Sequence, residues 1–513
     1  MNVQPVDNPQ KSGLLIFAIA ISIFTLAFNV TTFYNLTPLL IKKFNLATTT
    51  AQWLFNSYLL AILALVVIGG KLGDNFGRRT IFLIGCLIFA LGSFVIAIGI
   101  TGWMFILGRT IQGLGVALVF PGSSSLIRDG VPEDRQIFAF GVWSAVSGLG
   151  MALGPVIGGA IAELLNWRIV FIVNIVVMIL AGIIILLRAP NNKNTMVNRI
   201  DFIGLILFII SISTIVLALV EGNSWGWSDT KTLSNFTIGI VCLAIFLYVE
   251  TKISYPLLDL KNFTNPFFTT SLVGLCMYAF AMNVLLLFFN LLIQNPLLAN
   301  YNTQQAGLAI LPLCLAYFLS SLLASRLLKW VKYEGIVVSL VFLLSTLSFF
   351  AFAYTTINTH YYYFILPLIL AGISFGISQT LFPKIAIAAL PKEKTGEASG
   401  MVVKSIYLGV ILAISIGGII YQQSTQYHFS ALLENYQVNH QLQTQFYQQW
   451  MTSSSSFFAS IPHLAEPLHS ELVTATSYAA VAGFDATAWL IAIFALLTLV
   501  LVSLVYKYSN RRN

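Results

Sequence analysis

The residues able to do chemistry in this chain are few, and they sit inside long apolar runs. Leu26–Pro38 reads LAFNVTTFYNLTP, with Asn29, Thr31, Thr32 and Asn35 in a stretch otherwise apolar from Leu14 to Ile41. On a helix Asn29 and Thr32 are neighbours at i, i+3, Asn35 drifts to the edge of that face and Thr31 points elsewhere. Leu107–Gly115 reads LGRTIQGLG, which sets Arg109 and Gln112 on one face. A guanidinium in hydrocarbon costs at least ~2.5 kcal/mol, so Arg109 should face a cavity or a polar partner, or else be a purely structural buried arginine. Lys404 stands seven residues into a later apolar run. It either snorkels to the helix end or projects into a cavity as a proton carrier or anion contact. Such groups suit hydrogen bonding to a solute and the movement of protons. With Arg109, Lys404 would make a cavity positive and favour anionic, zwitterionic or neutral cargo.

The elements that must carry these groups follow from composition. Of 513 residues, 58% are hydrophobic and 9% charged, against about 25% charged in a soluble domain. That much apolar surface requires lipid as solvent. Apolar runs of about 20 residues, each enough to span roughly 30 Å of hydrocarbon, predict fourteen helices. They fall near 14–40, 51–70, 80–100, 104–127, 137–162, 167–187, 202–220, 234–250, 267–294, 306–328, 335–355, 362–389, 398–421 and 484–506. The expected organisation is a six-helix bundle at 14–187, an inserted pair at 202–250 and a second six-helix bundle at 267–506, the last interrupted by an outer loop at 422–483. Gln- and Ser-rich composition makes that loop a solvated connector, with a lid over a cavity as the sharper alternative.

Charge placement gives the expected topology. The net charge is +8, but it does not point to nucleic acid. Apart from Lys42, Lys43, Arg168 and Lys231, and from Arg109 and Lys404 within helices, every Lys and Arg falls on one side of the fourteen-helix scheme. The positive-inside rule then puts both termini in the cytoplasm. Cys86, Cys242, Cys276 and Cys314 lie in apolar segments without ligand spacing and read as packing residues. Glu163, Glu221, Glu250 and Asp485 all sit at expected helix ends, where solvated charge is the plain reading, and no Asp or Glu falls near the centre of a helix. No nucleophile–base pair, phosphate loop or metal cluster appears, so neither enzyme activity nor a cofactor is expected.

Two further stretches carry pattern. The loop after the second helix reads GKLGDNFGRRT, in which Gly70, Gly73 and Gly77 should let the chain turn. Asp74 can pair with basic residues there, and Arg78 and Arg79 hold the loop on the basic side. The fifth helix reads GVWSAVSGLGMALGPVIGG, in which Gly150, Gly154 and Gly158 recur every fourth residue beside Pro155 and Gly159. The small residues make a smooth packing stripe, and the proline permits a bend.

These segments, in this order, resemble the major facilitator superfamily. GKLGDNFGRR looks like its loop signature, LGRTIQGLG is similar to its helix-four signature, and GLGMALGPVIGG to the helix-five signature of its proton-coupled antiporters. FLYVETKISYPLLDLKNF, NWRIVFIVNI and LPKEKTGEASG resemble the fourteen-helix drug:proton antiporter branch. The resemblance implies that Asp74, Arg78 and Arg79 belong to a cytoplasmic latch and that Arg109 sits by the central cavity. It also implies that Gly154 and Pro155 form a bend that favours exchange. The second half's copy of the loop signature, ASRLLKWVKYEG, lacks the aspartate, so the latch should be asymmetric. Helix one departs from the branch, because Asn29 occupies the place of its aspartate and an amide cannot titrate. At Lys404 and Ile406 the branch tends to have threonine and arginine.

The leading expectation is a secondary active transporter of a bacterial inner membrane. It would work as a monomer and export a small amphipathic organic solute against inward proton flow. The missing carboxylate keeps open a proton-independent uniporter or exchanger. A non-transporting receptor or assembly partner is the reading from another class.

Overall fold

The computed structural model describes residues 9–190, 201–253, 257–330, 334–391, 395–452, 457, 460 and 468–509. Among them every regular element is helical. The chain runs α1 (Pro9–Phe44), α2 (Thr48–Phe76), α3 (Arg78–Ala97), α4 (Gly102–Gly130), α5 (Glu133–Ile161), α6 (Trp167–Arg188), α7 (Phe202–Trp225) and α8 (Thr230–Glu250). It continues through α9 (Pro266–Ile293), α10 (Thr303–Ala309), α11 (Leu311–Trp330), α12 (Glu334–Phe352), α13 (Tyr362–Ala388), α14 (Thr395–Asn435), α15 (His440–Thr452) and α16 (Leu468–Ser509). The helices keep their apolar side chains outward as well as inward: Leu87, Trp103, Leu187 and Leu501 are all more than half exposed. Lipid is the only solvent in which that surface is stable.

By length and apolarity, twelve of the described helices can cross a membrane, or thirteen when the bent pair Thr303–Ala309 and Leu311–Ala324 counts as one span. The expected fourteen differs at one place. Glu133–Arg188 counts there as a single 56-residue span, because α5 passes into α6 through a π-helical turn, Ala162–Asn166, without a gap. Fifty-six residues of helix reach about 84 Å, far beyond one hydrocarbon thickness. The backbone leaves helical geometry at Asn166 (φ −165°, ψ 137°), whose side chain accepts from the Arg168 N–H and starts α6 afresh.

The chain divides into two compact units. The first comprises Met1–Phe33, Trp53–Ala218 and Ser228–Asp259; the second comprises Tyr34–Gln52, Leu219–Trp227 and Leu260–Asn513. In the first, α3 packs along α4 and α6, and glycines of α3 and α4 let those two backbones meet. A Cβ on Gly92 would lie 2.6 Å from the Gly108 carbonyl oxygen, and one on Gly115 would lie 2.8 Å from that of Gly85. Most of α7 and all of α8 fall with this unit, while Leu219–Trp227 falls with the second. Leu205 of α7 and Phe246 of α8 share an apolar cluster with Ile68 of α2 and with Leu257. Glu250, expected as a solvated helix end, is buried there, and its Oε2 accepts from the Leu258 N–H at 2.9 Å.

In the second unit α9 packs against α13, α14 and α16, α11 against α13, and α12 against α13 and α16. The stretch 422–483, expected as a loop, is instead mostly helix. At 41 and 42 residues, α14 and α16 are each about 60 Å long, roughly twice what a crossing needs. Their surplus turns pack with α15 around Phe429, Leu433, Tyr447, Trp450 and Leu472. The glutamines that disguise this segment lie between those anchors: Gln441, Gln445 and Gln448 are exposed, whereas Tyr447 and Trp450 are buried. The Tyr447 hydroxyl donates to the Gln422 carbonyl at 2.8 Å, and burial pushes its pKa above the usual phenol value.

Candidate functional site

The polar residues of α1 lead to a buried network in the first unit. Asn29, Arg109, Gln112 and Asn174 are each no more than 1% exposed. The Asn174 Nδ2 donates to Asn29 Oδ1 at 2.9 Å, and Asn29 Nδ2 donates to Gln112 Oε1 at 3.3 Å. The same Gln112 oxygen accepts from Arg109 Nη1 at 3.0 Å. Gln112 Nε2 donates to Ser93 Oγ at 2.8 Å, and Ser93 passes its own hydrogen to the Phe89 carbonyl at 2.9 Å. Helices α1, α3 and α4 therefore meet at Gln112, and α6 joins them through Asn29.

Arg109 is held on its other sides as well. Its Nε donates to the Leu54 carbonyl at 3.0 Å. Its guanidinium lies over the Tyr58 ring at 3.8 Å and the Phe33 ring at 4.3 Å. Phe33 is fixed in turn by edge contacts with Phe55 and Phe171. A cation between two ring faces regains part of the hydration it lost, and in a desolvated site each such contact is worth up to about 2 kcal/mol. A carbonyl, an amide and two rings thus surround the charge. An aspartate in place of Asn29 would confront Gln112 Oε1, so the amide is matched to the acceptor it meets.

Thr32 belongs to a second contact. Its Oγ1 donates to the Gly154 carbonyl at 2.8 Å, joining α1 to α5. The glycine stripe of α5 makes this approach possible. A Cβ would lie 2.6 Å from the Phe24 carbonyl oxygen at Gly150, 2.0 Å from Thr31 Oγ1 at Gly154, and 2.1 Å from Thr32 Cγ2 at Gly158. Pro155 stands inside the same helix, and Gly159 is buried beside it.

The loop signature turns at one glycine. Gly70 and Gly73 lie within α2, which continues to Phe76, and only Gly77 has φ in the left-handed region (102°). Gly77 starts α3 and so aims the arginines that follow. Arg78 pairs with Asp129 at the end of α4. Arg79 Nη1 donates to the Ala189 and Leu186 carbonyls at 3.2 and 3.4 Å, capping the end of α6. Both ties lie inside the first unit. The side chain of Asp74 lies outside the described residues. Gly77→Ala is expected to cost about 1–3 kcal/mol through backbone strain. The check is a lower melting temperature of the purified protein, with Gly70→Ala, which has open space around its Cβ, as the control.

Lys404 belongs to α14 in the second unit, where it is half-buried. The second unit also takes up the rest of the α1 polar run. Tyr34 Oη donates to Asn283 Oδ1 at 2.5 Å, Asn35 Nδ2 donates to the Thr303 carbonyl at 2.9 Å, and Gln294 Nε2 donates to the Asn35 carbonyl at 3.1 Å. Sequence reasoning missed Tyr58, Ser93 and Asn174 in the network. Asn174 had a visible signal, an amide inside the apolar run IVFIVNIVVMIL.

The chain matches the family model of the Major Facilitator Superfamily over residues 19–414, and it belongs to that superfamily. It is therefore a transporter and not an enzyme. It is 28% identical over 386 residues to the multidrug resistance protein Stp of Mycobacterium tuberculosis, covering 74% of this chain and 70% of that protein. It is 25% identical to the methylenomycin A resistance protein of Bacillus subtilis (75% and 83% covered) and 27% identical to the quinolone resistance protein NorB of Staphylococcus aureus (80% and 89% covered). The fold is shared with a bacterial homologue of the human lysosomal transporter Spinster, at a TM-score of 0.70, 13% identity and 98% coverage of both chains.

Proposed function

We propose that this transporter exports a small amphipathic organic solute of the antibiotic type across a bacterial inner membrane, by alternating access driven by inward proton flow. Both termini are cytoplasmic in this reading, and the chain acts as a monomer. The observation that carries it is the buried Arg109–Gln112–Asn29–Asn174 network, set in a chain whose relatives are named for resistance to drugs and antibiotics. A charge buried among α1, α2 and α4 is kept for use rather than for stability. Arg78 and Arg79 form the cytoplasmic gate with the Asp74 loop. Close α1–α5 packing at Gly154, with Pro155 beside it, resists leakage. Lys404 gives the second unit a positive contact for cargo.

Asn29 supports a second reading, a proton-independent exchanger, because an amide holds the place where the branch carries a carboxylate. Transport in proteoliposomes with and without an imposed pH gradient separates the two. The panel contains a quinolone, methylenomycin A, a lipophilic cation and an organic anion. Flux that rises with the gradient supports antiport. Flux indifferent to it favours the exchanger, and no flux of any member removes the antibiotic-type cargo.

A further inference from the structure

Asp485 was expected at a helix end, yet it is residue 18 of the 42 in α16 and lies inside the apolar span Leu468–Val502. The side chain is half-buried, and its Oδ1 is buried with no protein donor beside it. The Thr355 backbone N–H, just beyond α12, lies by the carboxylate and itself donates to the Phe352 carbonyl at 3.3 Å. The turn that carries Asp485 is held by rings on both sides. Phe484 meets Phe352 edge-on and tilts against Phe289, while Trp489 meets Phe350 and Tyr354 edge-on. Of the elements packed against α16, the residues just past α12 bring Tyr354, α14 brings Tyr421 and α9 brings Phe289. None of these groups is charged at neutral pH.

An ionised carboxylate whose Oδ1 is buried without a donor, on a turn flanked by aromatic rings, is an expensive group to keep. The neutral acid needs no counter-charge, and the residue's partial exposure leaves a path for a proton. We infer that Asp485 carries the coupled proton, supplying from the second unit the titrating carboxyl that Asn29 cannot. The step is simple: the carboxylate takes up one proton in one access state and gives it up in the other, with no covalent bond to cargo. This inference rests on the proton-coupled reading above and extends it to a particular residue.

Two measurements on the full chain test it. Infrared titration of the purified protein reads protonated carboxyl groups directly. A carboxylic-acid band that fades as pH rises is expected in the natural chain and should be missing from Asp485→Asn; identical spectra would overturn the inference. In proteoliposomes, with ethidium and a fluorescent quinolone as probes, Asp485→Asn should lower gradient-driven flux to the no-gradient level. Probe counterflow without a gradient should persist. Asp485→Glu should restore the gradient response with a displaced pH midpoint. A gradient response in Asp485→Asn equal to that of the natural chain overturns the inference, and so does an equal loss of counterflow, which marks a structural residue. If the natural chain itself ignores the gradient, the antiport reading fails. The infrared band then decides by itself whether Asp485 titrates.

Discussion

Arg109→Met is expected to reduce transport to below about a tenth of the natural rate while the protein still inserts and folds. The substitution removes the cation from between Phe33 and Tyr58 and leaves the Leu54 carbonyl without its arginine donor. Gln112 Oε1 keeps only the longer bond from Asn29. Each buried acceptor deprived of a donor costs about 1–3 kcal/mol, so α4 loses its tie to α2 at Leu54, while the Gln112 bonds to Asn29 and Ser93 remain. Arg109→Lys should recover little, because an ammonium cannot stack flat on two rings while also reaching Leu54 and Gln112. The check is initial flux in proteoliposomes, normalised to the amount of folded protein measured by size-exclusion chromatography. Full transport in Arg109→Lys would mean that charge alone matters, and full transport in Arg109→Met would remove the network from the mechanism.

Gly154→Val is the second large effect. A Cβ there falls 2.0 Å from Thr31 Oγ1 and 2.8 Å from the Phe28 carbonyl oxygen, and the second of these is backbone that cannot rotate away. Helices α1 and α5 must separate, and the Thr32–Gly154 hydrogen bond is lost with the contact. Overpacking of this kind costs about 1–3 kcal/mol, and the hydrogen bond adds about 0.5–1.5 kcal/mol. The melting temperature should fall, and passive proton leak through proteoliposomes should rise. Gly141→Ala, where a Cβ meets nothing within 4 Å, is the control and should leave both unchanged. An unaltered leak in a destabilised Gly154→Val would confine this glycine to packing.

The two variants probe features that differ in how far they could be read in advance. The glycine stripe was legible because its function is local: a residue without a Cβ, repeated every fourth position, makes one smooth helix face whatever its partner. Which helix lies against that face was not legible, since α1 is more than a hundred residues away in the chain. Arg109 announced itself as a cost in hydrocarbon, but its partners are an amide, a backbone carbonyl and two rings, types that occur throughout the sequence. The spacing of GKLGDNFGRR spreads its turn over three glycines, and the structure gives it to Gly77 alone. The helical part of 422–483 was hidden by glutamines, which sit as easily on the wet face of a helix as in a connector.

The run LAFNVTTFYNLTP shows the division most plainly. By itself the sequence determined that a membrane helix passes through it, since only a helix satisfies its backbone in lipid, and that its polar groups require partners. Tertiary structure alone decided where each group goes. Asn29 joins the Arg109 network and Thr32 takes a carbonyl of α5, while Tyr34 and Asn35 bond within the second unit. The reason is physical. Hydrophobic periodicity is a property of neighbours along the chain and fixes an element, whereas a buried hydrogen bond is a property of neighbours in space and is set only when the helices pack.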